Sequence, residues 1–159
     1  EEFVNLTKKI KNKIPDIGLT TDIIVGFPGE TDDDFQDTLD VVNEVGFENA
    51  FMFMYSVRSG TPAATMDEQV SEQVKSERLQ QLMRLQNMKA KEETKKYLDQ
   101  TIKVLVEGPS KKNPEMLTGR TSTHKIALFK SDRTDLKGKF VNIRVYDTKT
   151  WTLYGEMVE

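Results

Sequence analysis

The spacing of the apolar residues changes near Thr101, and this change constrains the fold more than any other feature of the chain. Before it, apolar residues recur every three or four positions or form short continuous runs, which predicts helices alternating with strands. After it, Ile102, Val104 and Val106 alternate with Lys103, Leu105 and Glu107. This period of two is typical of strands with one buried face. The 159 residues therefore predict an α/β module followed by an all-β module.

The first module has the pattern of a strand–helix–strand unit preceded by a helix. Apolar residues that share one helical face predict a helix over Glu2–Ile14, which Pro15 ends; they are Phe3, Leu6, Ile10 and Ile14. A strand is predicted over Ile17–Val25, then a helix capped by Thr31 and stopped at Gly46, then a strand over Asn49–Ser56. Short connections make the two strands parallel neighbours. A longer helix is predicted from about Ser71 to Leu98, with Lys75 and Arg78 on its solvated face.

The second module has the pattern of a small barrel. Short period-two segments separated by Gly, Pro and Asn predict five strands within about 60 residues, an antiparallel barrel of the oligonucleotide-binding kind. After the strand around Val104 they lie over Met116–Thr121, Lys125–Phe129, Lys139–Tyr146 and Trp151–Met157. The aromatic residues Phe129, Phe140 and Trp151 are expected in its core.

A strand, a glycine turn and a helix start follow one another between Asp22 and Thr31. Asp22–Val25 is predicted to be a buried strand with one carboxylate, and Gly26–Gly29 is a turn. This order is typical of ligand-binding edges in α/β folds. A buried carboxylate needs a donor, which is either a ligand hydroxyl or ammonium group, or a neighbouring Arg or backbone N–H. Arg58, beyond the second strand, either clamps a carboxylate or phosphate or pairs with a helix acid.

The charge distribution separates the modules as well. The net charge is −3, yet residues 111–149 contain ten Lys/Arg and four Asp/Glu, a local charge of 10 − 4 = +6. Such a surplus is expected of a nucleic-acid surface, although a solvated lysine-rich rim explains it equally well. The candidate RNA contacts are Arg120, Lys125, Lys130, Arg133 and Lys139.

Composition excludes several kinds of site within this chain. It has no cysteine, so disulfides, thiolate metal sites and cysteine nucleophiles are excluded, and His124 is its only histidine. There is no Ser-His-Asp set or P-loop, so we predict neither catalytic residues nor a metal site in this chain. With no apolar run of about 20 residues and no leader pattern at Glu1, we expect a cytoplasmic protein that contacts no membrane.

Three sequence blocks carry a family resemblance. They are TTDIIVGFPGETDDDF; FMFMYSVRSGTPAATMDEQV with KSERLQQLMRLQ; and VLVEGPSKK…LTGRT…GKFVNIRV…WTLYGE. In order and spacing the chain resembles the C-terminal part of MiaB-type tRNA methylthiotransferases, which are radical S-adenosylmethionine enzymes with a TRAM domain. The resemblance implies the last part of a radical SAM (β/α) barrel over residues 1–98 and a five-stranded TRAM barrel over residues 99–159.

The resemblance also implies a reaction and its cofactors. Family members use S-adenosylmethionine and two 4Fe-4S clusters to convert N6-isopentenyladenosine beside the tRNA anticodon to its 2-methylthio derivative. By position in the motifs, Asp22, Ile24, Gly26, Glu30 and Arg58 would bind cofactor, Arg58 alternatively substrate. The cluster ligands would be cysteines, which this chain lacks, so we expect the chain alone to be inactive and to bind the tRNA anticodon stem-loop.

Alternatives remain at this point. The methylthiotransferases that act on threonylcarbamoyl-adenosine have a similar Arg58 segment. A non-catalytic TRAM module that binds RNA, or that only packs as a structural lid, also fits the second half. His124 stands where the TRAM pattern predicts asparagine, which puts one RNA contact in doubt. A truncated barrel would expose strand edges, and these predict non-native pairing with another chain.

Overall fold

The computed structural model describes residues 1–158, which form two compact units. Unit 1 comprises residues 1–15 and 19–89, and unit 2 comprises residues 16–18 and the chain from residue 90 onward. The domain boundary predicted between Leu98 and Asp99 stays a prediction. Within the described residues, none of the helices combines the length and the apolar character needed to cross a membrane.

Unit 1 is built around a parallel pair of strands. Its elements are α1 (Glu2–Lys13), β1 (Thr20–Val25), α2 (Asp32–Val45), β2 (Asn49–Met54), a 3₁₀ turn (Pro62–Thr65) and α3 (Glu72–Lys95), whose last residues belong to unit 2. Strands β1 and β2 pair in parallel, as the strand–helix–strand pattern predicts. The core of this unit lies between the sheet and the helices; its fully or nearly buried residues are Val4, Val25, Phe35, Leu39, Val42, Val45, Phe47 and Leu82.

Local sequence fixes both ends of α2. Thr31 accepts a hydrogen bond from the backbone N–H of Asp34 at 3.1 Å, and Asp34 accepts one from the N–H of Thr31 at 2.9 Å. This capping box satisfies two N–H groups that a helix start leaves unpaired. The Thr31 side-chain and backbone hydrogen bonds lower the pKa of Asp34 below its ordinary value. Gly46 ends the helix in the left-handed conformation, with φ of 62°. Both predicted ends are confirmed.

The prediction that Asp22–Val25 is a buried strand is wrong for one of its two faces. The strand begins at Thr20, and Asp22 and Ile24 lie on an exposed face, where Ile24 keeps 56% of its surface. Their parallel partners Phe51 and Phe53 are 59% and 53% exposed. Helices pack against only one side of this sheet, so the alternate side chains of both strands stay open to solvent in the described part of the chain.

Helix α1 forms as predicted, but its apolar face is not its buried face. Phe3, Leu6 and Ile14 are each more than half exposed. The residues that pack inward are Val4 and Thr7, and the Thr7 hydroxyl donates to the carbonyl of Val4 at 2.8 Å. A spacing rule identifies a helix face, but only the packing partner decides which face is covered.

Unit 2 contains the predicted five-stranded barrel. Its strands are β3 (Thr101–Pro109), β4 (Leu117–Arg120), β5 (Ile126–Lys130), β6 (Phe140–Lys149) and β7 (Thr152–Val158), closed in the order β3-β4-β5-β7-β6. The interior is filled by alternate residues of β3, β5, β6 and β7 together with Leu136 from the loop before β6. The buried residues are Val104, Val106, Ala127, Phe129, Leu136, Ile143, Val145 and Leu153. Gly119 lets β4 approach β3, because a Cβ there would lie 2.5 Å from the carbonyl oxygen of Leu105.

The barrel is not entirely antiparallel, which corrects the sequence-based prediction. Strands β5 and β7 pair in parallel, whereas the other four pairs are antiparallel. Closure explains the exception. Strand direction cannot alternate all the way round a closed ring with an odd number of strands, so one neighbouring pair must be parallel.

Two of the three aromatic residues predicted for the barrel core are on the surface. Phe129 is fully buried, but Phe140 is 66% and Trp151 is 40% exposed. In β6 it is Ile143 and Val145 that point inward, and Phe140 lies an odd number of residues from both. Trp151 lies in the turn between β6 and β7.

Candidate functional site

The turn after β1 is held in place by Glu30. Gly26 has a φ of 71°, and its N–H donates to Oε2 of Glu30 at 2.7 Å. A Cβ at Gly26 would collide with Cγ of Lys75, so both the backbone conformation and the available space require glycine. Gly29, with φ of 87°, donates its N–H to the carbonyl of Glu68 at 2.8 Å. The predicted glycine turn is therefore a rigid connection that packs against the segment leading to α3.

Arg78 of α3 binds the same carboxylate from the other side. Its Nη1 donates to Oε2 of Glu30 at 2.6 Å and to the carbonyl of Glu30 at 3.0 Å, and its Nη2 donates to Asp32 at 2.7 Å. Burial favours a lower pKa for Arg78, but the hydrogen bonds to Asp32 and Glu30 outweigh it and raise the pKa above its ordinary value. The Glu30 carboxylate thus has two protein partners, and the clamp leaves its side chain only 11% exposed.

Lys75 and Arg78 are buried, which corrects their predicted place on the solvated face of α3. Lys75 is 3% exposed; its Nζ donates to Glu72 at 2.8 Å and lies 5.4 Å from the centre of the Tyr55 ring. Tyr55 is 9% exposed, and within the described residues its hydroxyl has no hydrogen-bond partner. Helix periodicity alone offers no signal for the burial of these cations, because Tyr55 beside Lys75 and Glu30 beside Arg78 come from distant segments.

Two of the predicted cofactor-binding residues lie on the open sheet face of unit 1. Asp22 and Ile24 are side by side on this face, a carboxylate next to an aliphatic side chain. This pair suits a nucleoside, since the carboxylate accepts from ribose hydroxyls and the aliphatic group packs on a base. Glu30 does not join it, because its carboxylate faces Gly26 and Arg78. The Arg58 side chain is exposed in the loop after β2, where its carbonyl accepts from the Thr61 hydroxyl at 2.8 Å.

In unit 2, the basic residues gather at one end of the barrel. The strand directions place the loops 110–116 and 131–139 together at the end where β3 and β5 finish. We call this region, with Lys130, the basic end. It contains six Lys/Arg and three Asp/Glu, giving 6 − 3 = +3. The basic residues are Lys111, Lys112, Lys130, Arg133, Lys137 and Lys139, and all six are exposed.

Three of the five predicted RNA contacts lie at the basic end. Lys130 is exposed at the end of β5, and Arg133 and Lys139 share one carboxylate, Asp135, at 3.0 and 2.7 Å. The hydrogen bond from Arg133, with a smaller contribution from that of Lys139, holds the pKa of Asp135 well below its usual range. The cluster of two cations and one anion keeps a net positive charge. Sequence reasoning missed Lys111, Lys112 and Lys137, although the same charge surplus pointed to them.

The other two predicted contacts lie outside the basic end: Arg120 is opposite Leu105 in the β3–β4 register, and Lys125 lies just before β5 at the other end of the barrel. Arg120 is partly exposed and donates from Nε to Glu107 at 3.0 Å. Lys125 is only 6% exposed; its Nζ donates to the Thr94 hydroxyl at 3.2 Å and lies 5.7 Å from the Tyr97 ring centre. An ammonium group enclosed in this way does not reach a phosphate, so the structure does not support Lys125 as a surface contact.

Comparison with known proteins gives two findings. The family model described as the TRAM domain matches residues 95–158. Over its whole length the chain is also similar to proteins named tRNA-2-methylthio-N(6)-dimethylallyladenosine synthase. The one from Fusobacterium nucleatum subsp. nucleatum is 60% identical over 99% of this chain and 36% of that protein. The one from Acetivibrio thermocellus is 53% identical over 99% of this chain and 33% of that protein. The chain therefore spans about one third of the length of these curated relatives.

Proposed function

We propose that this chain is the tRNA-binding part of a tRNA methylthiotransferase. The premise is that residues 95–158 form a TRAM domain and that the chain is related to such enzymes. The matches confirm the family resemblance carried by the three sequence blocks. The observation that carries the proposal is the basic end of the TRAM barrel. The exposed net charge of +3 on loops 110–116 and 131–139 with Lys130 suits the phosphates of an anticodon stem-loop.

The proposed reaction of the complete enzyme is methylthiolation of N6-isopentenyladenosine next to the anticodon. The relatives' names specify dimethylallyladenosine, and this favours the isopentenyl branch over the threonylcarbamoyl branch. A soluble tRNA-modifying enzyme would act in the cytoplasm. The sequence contains no cysteine to hold an iron–sulfur cluster, so the donor set of this chain does not fit the clusters, and the chain alone is proposed to be inactive.

Unit 1 is proposed to be the last part of a radical SAM barrel, with its open sheet face toward the cofactor. The parallel strand pair and the exposed neighbours Asp22 and Ile24 support this assignment. S-adenosylmethionine would supply the radical chemistry, and this chain would contribute a carboxylate for its ribose and an aliphatic surface for its adenine. Gly26 and Glu30 would act indirectly, by holding the turn at the end of β1, and Arg58 would anchor substrate or cofactor.

The proposal is tested by measuring the affinity of the full chain for an anticodon stem-loop RNA across a salt series. Phosphate contacts predict that log K falls linearly with log salt concentration. The variant Lys137→Glu reverses one charge at the basic end. We expect it to weaken binding and to make the slope shallower by about one unit.

The matched control is Lys149→Glu, which reverses one charge at the opposite end of the same barrel, where β6 turns into β7. It is expected to leave both the affinity at moderate salt and the slope close to those of the unmodified chain. An absence of binding even at low salt would refute the RNA-binding role. Equal effects of the two reversals would show that net charge, and not the basic end, governs binding.

A further inference from the structure

Phe140 is an exposed aromatic residue on the outer face of the barrel. It begins β6, and 66% of its surface is accessible. It shares the outer face of the strand with Asn142 and Arg144, while Ile143 and Val145 fill the interior. An isolated exposed aromatic needs no explanation by itself. The side chains around Phe140, however, are of the kinds that bind a nucleobase.

The groups around Phe140 are those that a nucleobase site uses. In the β3–β6 register, Leu105 lies opposite Phe140, and Lys103 lies opposite Asn142. Nζ of Lys103 is 5.8 Å from the centre of the Phe140 ring. The ring thus has an aliphatic side chain beside it, an ammonium group within reach of its face, and an amide two residues along the strand that both donates and accepts.

Phe140 also lies next to the basic end of the barrel. Phe140 directly follows Lys139, the last residue of loop 131–139, and this loop belongs to the basic end. The N–H of Val106 donates to the carbonyl of Lys139 at 2.9 Å, which fixes the loop against β3 just before the aromatic residue. A strand of RNA whose phosphates lie on the basic end would therefore bring its next bases to the Phe140 ring.

We infer that Phe140, flanked by Lys103 and Asn142, is a stacking site for an unpaired RNA base. The ring supplies the stacking surface, Lys103 neutralises a phosphate next to the stacked nucleotide, and Asn142 offers hydrogen bonds to the base edge. This inference rests on the proposed RNA-binding function and adds the class of ligand: an unpaired nucleotide, as opposed to a regular duplex. Any of the bases can stack on an aromatic side chain, so the site would bind unpaired bases without a preference for sequence.

The test compares two RNA probes on the full chain: an unstructured single strand of about ten nucleotides and a blunt duplex containing the same strand. Phe140→Ala is expected to weaken single-strand binding about tenfold, because one base–aromatic stack is lost. Duplex binding and the salt slope should stay unchanged, since Phe140 neutralises no phosphate. Phe140→Trp should retain single-strand binding, and Phe140→Leu should lose it, although leucine keeps an apolar side chain.

Tyr146→Ala is the matched control, because Tyr146 is a 56% exposed aromatic on the same strand. The fluorescence of Trp151, the only tryptophan of the unmodified chain, verifies that the Ala and Leu variants keep the barrel. Wild-type affinity of Phe140→Ala for the single strand would overturn the stacking site while leaving RNA binding intact. Equal losses for strand and duplex would also overturn it. Failure of the unmodified chain to bind either probe would instead refute the proposed function.

Discussion

The ion pair between Arg78 and Glu30 permits a quantitative test of the role assigned to the turn after β1. The two side chains are 8% and 11% exposed, and the guanidinium makes two hydrogen bonds to Glu30 and one to Asp32. Arg78→Met removes the cation and leaves a largely buried carboxylate with only the N–H of Gly26. Breaking a buried pair from one side costs about 3–5 kcal/mol. We expect the lower end of that range, because the Gly26 hydrogen bond remains.

Substitution of the other partner, Glu30, is expected to lower the free energy of unfolding by less. Glu30→Gln keeps an oxygen that accepts from Gly26, and Arg78 keeps Asp32 and the carbonyl of Glu30. Loss of one charge-assisted hydrogen bond should cost about 1.5–3 kcal/mol. Asp32 is 96% exposed, so its pairing with Arg78 adds little. Because the two residues act on each other directly, the double variant should be less destabilised than the sum of the single variants, by about 2 kcal/mol.

The assay is urea unfolding with two optical probes. Far-ultraviolet circular dichroism follows the helices, most of whose residues belong to unit 1, and Trp151 fluorescence follows the barrel of unit 2. The helical transition should shift to lower urea in Arg78→Met. Arg84→Met is the matched control, because Arg84 is an exposed arginine on the same helix. A coupling energy below about 0.5 kcal/mol, or an equal loss in the control, would refute the structural role of Glu30.

Three further outcomes are expected in the same unfolding assay. Thr31→Ala removes the N-cap of α2 and should lower the helical unfolding free energy by about 1 kcal/mol, whereas Thr31→Ser should restore it. Gly119→Ala places a methyl group against the Leu105 carbonyl and should destabilise the barrel transition by about 1–3 kcal/mol; a neutral result would mean that β3 and β4 are not so close. The pKa of Asp135 is lower in the folded than in the unfolded chain, so its contribution to stability is present above the ordinary carboxyl pKa and is lost as pH falls through the folded-state value. Asp135→Asn should therefore flatten the acid limb of the stability–pH curve at low salt, and an unchanged limb would contradict the cluster with Lys139.

Local sequence was sufficient wherever a structural feature depends on near neighbours. The capping box at Thr31, the left-handed stop at Gly46 and the parallel strand pair were all predicted from residues within one strand–helix–strand unit. The same holds for the five barrel strands, because the period of two marks which side chains face inward. The resemblance to the methylthiotransferase family rests on the same kind of information, short blocks in a fixed order.

The burial of individual charged and aromatic residues could not be predicted from their near neighbours in the sequence. Lys75, Arg78 and Lys125 looked like surface cations, yet each is enclosed by groups from other segments of its own unit. Asp22 looked buried, because a continuous apolar strand predicts cover on both faces, and the described chain covers only one. Phe140 is a partial exception, because the alternation around Ile143 already places it on the outer face of β6.

The sequence by itself therefore determined the order and type of the elements, the two modules and the resemblance to the methylthiotransferase family. Only the tertiary structure decided that Glu30 binds Arg78 and Gly26, that Asp22 and Ile24 lie on an open sheet face, and that the barrel exposes one charged end and the Phe140 ring to solvent. The physical reason is the range of the forces involved. Helix caps, turns and side-chain alternation are set within a few residues, whereas burial and ion pairing depend on distant segments, as the 48 positions between Glu30 and Arg78 show.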